Sequence, residues 1–201
     1  IQEKYEYKTH AGIQGWWVSS GFSQFDPHNF FISEKSADPW GNVSEVEYDS
    51  LYLLPEKVID PLGNTLSAKY DYRSLQALEI RDPNGNRKEV AYDGFGRVIR
   101  TAIKGKLGER KGDKLSVSPR DSYSFTDTDS TVIEYRHEEF WKNGKPNYVH
   151  TYTRETHHQD LKAGKTSNWL EARLYSDGFG RELQSKAKVA PGKAYYVENG
   201  I

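Results

Sequence analysis

The 201-residue sequence contains no cysteine and no methionine. The absence of cysteine excludes disulfide bonds and thiolate metal sites. The absence of methionine leaves the sequence without a natural start residue, because it opens on Ile1. We therefore expect it to be a fragment of a longer protein.

Long apolar runs and a charge of one sign are also missing. No stretch approaches the roughly 18 apolar residues of a membrane helix, and the visible start has no signal-peptide pattern. Basic and acidic side chains number 28 and 29 and are interspersed, so no basic stripe favours nucleic acid. Hydrophobic residues make up only 35%, yet 14 tyrosines and 5 tryptophans argue against disorder. This composition favours a thin β wall over a thick closed core.

A repeated unit begins at residues 38, 60 and 82, and so recurs at a constant interval. Each copy opens with Asp-Pro-x-Gly-Asn, in which Asp can bond the backbone ahead, Pro fixes φ, and Gly accepts positive φ. Each copy continues to a Tyr-Asp pair. A fixed period of this length indicates stacked structural repeats. The residues on which the pattern depends are Asp38, Gly41, Tyr48, Asp60, Gly63, Tyr70, Asp82, Gly85 and Tyr92.

Between the turn and the tyrosine, successive side chains fall into two alternating sets that would point to opposite faces, as in residues 65–70. This period of two predicts a strand with the tyrosine on its more buried face. A second strand follows each Tyr-Asp pair, so one unit is a β-hairpin. Successive hairpins predict an all-β fold, a meander forming a curved, spiralling antiparallel sheet. No segment shows sustained helical periodicity with caps.

A related turn, Asp-Gly-Phe-Gly-Arg, occurs at residues 93–97 and again at residues 177–181. Further along, Asn143-Gly144 predicts a two-residue hairpin between residues 131–142 and 145–156. The residues singled out in the two related turns and just before the second are Gly96, Arg97, Tyr175, Gly180 and Arg181.

The sequence divides into four parts of one continuous fragment. Residues 1–35 form an aromatic-rich lead-in, and residues 36–103 hold the three hairpin repeats. Residues 104–130 are a polar insertion, for which we expect an exposed loop followed by a short acidic stretch. Residues 131–201 hold the long hairpin and a final repeat.

The paired carboxylates Glu45/Glu47 and Glu138/Glu139 suit a glycosidase only if they face a cleft. No apolar pocket is evident beside them, so we expect solvated faces. Residues 82–93 imitate a calcium loop, but Arg87 stands where glycine is needed, which favours a turn. The pair Asp127 and Asp129 could hold a cation weakly, although a solvated loop is expected.

Six histidines offer few metal sites. His137 and His150 are equally far from the Asn143-Gly144 turn, so they could pair across it as half of a metal site or as a pH-sensitive pair. A structural pair is expected, because no third ligand is apparent. His157 and His158 are adjacent and would point to opposite faces of a strand; His10 and His28 are isolated. No Gly-x-Ser-x-Gly elbow or Walker loop is present, so we expect neither an enzyme nor a cofactor.

The Asp-Pro-x-Gly-Asn…Tyr-Asp units and the Tyr-Asp-Gly-Phe-Gly-Arg turn resemble the Rhs/YD-repeat family, most closely the B component of bacterial insecticidal toxin complexes, the Tc toxins. The residues carrying the resemblance are 31–103, 144–150 and 175–192. The resemblance implies a secreted virulence protein whose hairpins form a shell segment around a toxic cargo. It implies as partners the remaining shell, a C-type component with its cargo and an A-type translocation component, with no nucleic acid and no membrane insertion. The family's self-cleavage motif ends in leucine, whereas all three copies here end in asparagine, so no catalytic residue is assigned.

The alternative is a carbohydrate-binding cell-surface module with YD repeats. Exposed tryptophans can stack on sugar rings, which requires two or three of them on one outer face. We expect instead that the tryptophans fill gaps between neighbouring hairpins. The five are Trp16, Trp17, Trp40, Trp141 and Trp169.

Overall fold

The structure is a computed structural model that describes residues 8–10, 12–18, 20–116 and 128–192. Within these ranges it contains fourteen strands and one short α-helix, α1 (Glu139–Asn143). The strands are β1 (Lys8–His10), β2 (Ile13–Trp17), β3 (Phe22–Asp26), β4 (Ile32–Ala37), β5 (Val43–Tyr48), β6 (Pro55–Ile59), β7 (Thr65–Asp71), β8 (Gln76–Arg81), β9 (Arg87–Tyr92), β10 (Val98–Lys104), β11 (Thr131–Arg136), β12 (Tyr148–Arg154), β13 (Trp169–Ser176) and β14 (Glu182–Ala187).

Strands β3 to β14 form one twelve-stranded sheet, while β1 and β2 form a separate pair. The order in the large sheet follows the chain from β3 to β14, and neighbouring strands run antiparallel. This is the predicted all-β meander of hairpins, and the fold class is confirmed. The only helical segments described are α1 and a 3₁₀ turn at His158–Asp160.

The chain divides into two compact units. The first comprises residues 1–90 and 103–110, and the second comprises residues 91–102 and 111–201. Buried hydrophobic residues are few among the described residues, and buried polar or charged residues outnumber them. In the described part of the chain, β3 to β14 form one sheet, and few of its apolar side chains are buried. The buried apolar residues are Ala37, Tyr92, Ile99, Ala102 and Val132.

A β-bulge recurs once per repeat in the first unit. Between paired strands the register skips one residue, namely Glu34 on β4, Glu56 on β6 and Leu78 on β8. An extra residue on one strand increases the local twist. The first of these bulges lies opposite Phe25, so the hairpin β3–β4 is a further copy of the repeat, with Phe-Asp in place of Tyr-Asp. The four-part division of the sequence stays a prediction.

The predicted two-residue hairpin at Asn143-Gly144 is wrong. Strands β11 and β12 do pair, but residues 137–147, including α1, connect them. Gly144 has φ 62° and donates its N–H to the carbonyl of Phe140 at 3.0 Å, so it terminates the helix. A glycine with positive φ is found at helix ends as well as in tight turns. The Asn-Gly dipeptide alone therefore does not distinguish a two-residue hairpin from the end of a helix. None of the described helices is long or apolar enough to cross a membrane.

Candidate functional site

Five turns of one geometry connect successive strands, and we call them the Asp turns. In the turn at residues 60–64, one carboxylate oxygen of Asp60 accepts the N–H groups of Leu62 at 2.9 Å and Asn64 at 2.8 Å. The other oxygen accepts the Asn64 side-chain amide at 2.7 Å. The Gly63 N–H bonds to the Asp60 carbonyl at 2.9 Å. The aspartate therefore holds both ends of its own turn. The Asp turns are residues 38–42, 60–64, 82–86, 93–97 and 177–181.

Arginine replaces asparagine in two Asp turns without changing the geometry. Asp93 accepts the Arg97 N–H at 2.9 Å and its side-chain Nε at 2.7 Å. Arg181 makes the same contacts with Asp177, at 2.9 and 2.6 Å. The fifth position thus needs a side-chain N–H donor, which Asn and Arg both supply. The two sequence patterns are one structural turn.

The glycine of every Asp turn has positive φ, between 79° and 86°. An L-residue reaches this region only with strain. The turn also stabilises the charged form of its carboxylate. The hydrogen bond from the Asn64 amide lowers the pKa of Asp60, and the hydrogen bond from the Asn86 amide lowers the pKa of Asp82. The five glycines are Gly41, Gly63, Gly85, Gly96 and Gly180.

The repeat tyrosines link neighbouring strands. Tyr48 donates its hydroxyl to the carbonyl of Ser33 at 3.1 Å, and Tyr70 donates to that of Pro55 at 2.7 Å. Each acceptor lies immediately before a bulged residue, so the tyrosine caps the bulge. Tyr92, the third in the series, is buried. The ring of Tyr175 lies 5.4 Å from that of Tyr148 on the adjacent strand.

A buried carboxylate follows the first repeat tyrosine. Asp49 is 2% exposed and accepts the N–H of Leu53 at 2.7 Å. It also accepts the hydroxyl of Tyr72, and this hydrogen bond raises the pKa of Tyr72 to about 12. The sequence pattern contained Asp49 but assigned it no partner, because Tyr72 lies in the next repeat.

The sheet of the first unit has two unlike faces. One face carries cross-strand ion pairs, such as that between Lys57 and Glu47 at 2.5 Å. The next residue along each strand points to the other face. There, Val46 pairs with Val58 and Val58 with Leu66. The further ion pairs on the charged face are Lys35–Glu45, Lys69–Glu79, Arg87–Glu79 and Lys104–Glu89.

In the second unit, Arg97 joins its turn to β11. Its guanidinium lies 3.0 Å from the His137 Nε2, 4.3 Å from the ring centre of Tyr135 and 5.0 Å from that of Phe95. Arg181 keeps the equivalent of the Phe95 contact, at 5.6 Å from the ring centre of Phe179, but its side chain is 77% exposed. The two arginines therefore share a turn geometry but differ in packing.

Asp113 anchors a buried charged cluster in the second unit. Its carboxylate accepts the His158 N–H at 2.6 Å and the Ser130 hydroxyl, and it contacts His157 Nδ1 at 2.7 Å. Arg154 Nε lies 3.6 Å away. A solvent-exposed insertion was predicted here, which is correct for residues 106–111 but wrong for Asp113. Partners so distant along the chain leave no local pattern in the sequence.

Asp129 lies beside this cluster and is fully buried. It accepts the Ser116 N–H at 2.8 Å and pairs with Arg100 at 3.8 Å. Its carbonyl accepts the Arg154 Nε–H at 3.0 Å. The predicted solvated loop is therefore wrong at Asp129, while Asp127 lies outside the described residues. Two aspartates and two arginines balance each other's charge away from water.

The predicted pairing of His137 with His150 is wrong. The longer connection after β11 places Glu134 opposite His150, whereas His137 lies against Arg97. His150 is buried, bonds to the Tyr152 hydroxyl at 2.9 Å and lies 3.5 Å from Glu171. Burial lowers the pKa of His150.

Most of the carboxylates considered for glycoside hydrolysis or cation binding are engaged in ion pairs or in a turn. Glu45 and Glu47 are each engaged by a lysine, and Glu138 pairs with Lys142. Asp82 is occupied by its own turn. In the described part of the chain, no group of three or more potential ligands could hold a metal ion.

The tryptophans are scattered, and most are exposed. The gap-filling hypothesis is wrong for four of them, since Trp16, Trp17, Trp40 and Trp141 are 72%, 47%, 52% and 86% exposed. Trp169 is half-buried beneath Arg154. Trp16 and Trp17 are consecutive on β2 and so point to opposite faces. This placement does not favour the carbohydrate-binding alternative.

Comparison with known proteins identifies the fold. No family model matches the chain, and neither does any curated protein. The crystal structure of TcdB2-TccC3 is similar, with a TM-score of 0.74 and 22% identity over 92% of this chain and 10% of that one. The same complex without its hypervariable C-terminal region gives 0.69 and 18%, over 92% and 12%. The Tc holotoxin pore of Photorhabdus luminescens gives 0.74 and 17%, over 96% and 12%.

At these identities the likeness shows a shared fold. The fold implied by the resemblance to the Tc B component is therefore confirmed. The chain spans about a tenth of the length of the chains that it matches.

Proposed function

We propose that this chain is a stretch of shell wall from a toxin-complex B component or a close Rhs relative, and that its role is containment without catalysis. The observation that carries the proposal is the twelve-stranded sheet in chain order, which matches TcdB2-TccC3 over 92% of this chain. Because this chain covers 10% of that one, further hairpins of the longer protein supply the rest of the wall.

The two edge strands support continuation of the wall. Strands β3 and β14 lie at the ends of the sheet, and all six residues of β14 are exposed. A free edge exposes unpaired N–H and C=O groups and invites aggregation. Neighbouring hairpins of the same protein would cover both edges.

The unlike faces of the first unit support an inside and an outside. We assign the face with the ion pairs to solvent and the face with Val46, Val58 and Leu66 to the interior. A mainly apolar lining, on which Lys88 lies opposite Ile80, suits a cargo held in a poorly folded state. The partners that follow are a C-type component with its cargo and an A-type translocation component, in a secreted complex.

Two adjacent single cysteines test this assignment. The chain has no cysteine, so Lys57→Cys and Val58→Cys each introduce a unique thiol, one on each face of β6. Both native side chains are exposed in the isolated chain. We expect a maleimide to label both variants of the isolated chain. In the complete protein assembled with its C-type component, we expect only Lys57→Cys to keep the labelling rate of the isolated chain. The same complex without either substitution gives the background labelling.

Equal labelling of both thiols in the assembled complex would overturn containment. Equal labelling after the C-type component is omitted serves as the matched control, because an incomplete shell leaves the interior open. Protection of Lys57→Cys instead of Val58→Cys would keep the shell and reverse the assignment of its faces.

A further inference from the structure

A cationic cavity lies in the second unit beneath the connection between β12 and β13. Its volume is about 270 Å³. One arginine, two lysines and one histidine line it, and no carboxylate occurs among the described residues of its lining. Asp113 lies 3.6 Å from the Arg154 guanidinium, so the excess positive charge of the lining comes from Lys162 and Lys165. The polar residues of the lining are Arg154, His158, Lys162, Lys165, Thr166 and Ser167.

A tight turn holds two of the cations together. The Lys165 N–H bonds to the Lys162 carbonyl at 3.0 Å, and Gly164 takes φ 74°. The ends of such a turn lie within about 7 Å of each other. This distance joins the two Cα atoms, and an anion bound between the two ammonium groups would reduce their mutual repulsion.

The floor of the cavity is fixed in place. The Arg154 side chain is 2% exposed and lies 4.8 Å from the ring centre of Trp169. The Ser167 hydroxyl accepts the Thr156 N–H at 2.9 Å and donates to the Asn168 carbonyl at 2.8 Å. Donors held by their own contacts need little reordering when a ligand arrives.

One polar atom of the lining has no partner. The Nδ1 of His158 is buried and makes no hydrogen bond within the described part of the chain. A buried polar nitrogen without a partner is costly. A hydrogen-bonding partner supplied by a ligand would remove that cost.

We propose that this cavity binds a tetrahedral oxyanion of the phosphate class, either free phosphate or the terminal group of a phosphate monoester. Phosphate oxygens accept hydrogen bonds and match the ammonium groups of Lys162 and Lys165 and the hydroxyl of Thr166. A volume of about 270 Å³ lies below the roughly 300 Å³ at which drug-sized pockets begin. The site therefore takes a small anion, and it does not depend on the containment role.

Calorimetric titration of the 201-residue chain with inorganic phosphate tests the site, at constant ionic strength with chloride as the balancing anion. We expect saturable binding with one phosphate per chain. Lys165→Gln should weaken it about tenfold or more, as expected for one lost charge-assisted hydrogen bond. Lys145→Gln is the matched control, because Lys145 carries the same charge and is exposed but does not line the cavity.

Two additions make the outcome decisive. Thr166→Val keeps the charge but removes a hydroxyl donor, and should also weaken binding, while circular dichroism checks that each variant is folded. Titration with glucose 6-phosphate separates the sources: binding as tight as that of phosphate assigns a monoester, and loss of binding assigns the free ion. If neither phosphate nor glucose 6-phosphate gives saturable heat, the proposed site is overturned. Equal weakening by Lys145→Gln and Lys165→Gln also overturns it, because it would indicate general charge attraction.

Discussion

Replacing an Asp-turn glycine with valine tests whether the backbone angle of the turn limits stability. Gly63 and Gly85 have φ 82° and 86°. A side chain in this left-handed region costs about 1–2 kcal/mol, and a β-branched one lies at the upper end of about 1–3 kcal/mol. Space is not limiting, because a Cβ at Gly63 meets nothing within 4 Å. At Gly85 the nearest atom is the Cγ of Lys106 at 3.6 Å, an ordinary contact.

Urea unfolding of the 201-residue chain measures the effect. Both Gly63→Val and Gly85→Val should lower the free energy of unfolding by about 1–3 kcal/mol, with losses equal to within about 0.5 kcal/mol despite their different surroundings. Gly63→Asn should lose clearly less, since asparagine tolerates positive φ.

Two results would refute the reasoning. A loss below about 0.5 kcal/mol for both valine variants would show that the turn relaxes into another conformation at little cost. An asparagine variant as unstable as the valine variant would show that something other than φ makes glycine necessary. A changed slope of the unfolding free energy against urea would instead report an altered unfolded state.

Three other perturbations follow from the same structure. Gly178→Pro should raise the free energy of unfolding by about 0.4–1 kcal/mol. The second position of the turn is proline in three of the Asp turns, and Gly178 has open space around it. A lower urea midpoint for this variant would contradict the prediction. The pKa of Tyr72 is raised to about 12, so its contribution to stability should be complete below about pH 10 and be lost as the pH rises toward 12. Tyrosinate absorbance and urea midpoints at several pH values would show this loss in the parent chain and not in Tyr72→Phe. Asp113→Asn should cost about 3–5 kcal/mol because it removes the charge that faces the buried Arg154 guanidinium. The exposed control Glu138→Gln should leave the urea midpoint close to that of the parent chain; equal urea midpoints for the two variants would refute the buried cluster.

The strands and their order were predictable because the information is local. An Asp-Pro-x-Gly-Asn segment carries its own turn chemistry, and the short interval between successive copies leaves room for only one hairpin. Sequential hairpins then pair in chain order. The Asn143-Gly144 segment shows the limit of local information, since the glycine there ends α1 instead of forming a tight turn.

The charged cluster was not predictable, because its partners come from distant segments. Asp113 and His157 are separated by 44 residues, and neither belongs to a periodic pattern. Polar residues in a Lys- and Gly-rich segment ordinarily indicate a solvated loop. The burial depends on the pairing of β11 with β12, which brings Ser130, just before β11, and Arg154, on β12, to the same carboxylate.

The Asp turns specify few side chains, which is compatible with a shared fold at 17–22% identity and a TM-score of up to 0.74. Each turn depends on an aspartate, a left-handed glycine and a side-chain donor that can be either asparagine or arginine. The tyrosine hydroxyls of Tyr48 and Tyr70 bond to backbone carbonyls, so the side chains at those acceptor positions are free to vary. Few side chains in each repeat are therefore specified, and most of the remainder need only alternate in polarity. A repeat defined by so few positions diverges in sequence long before its register is lost.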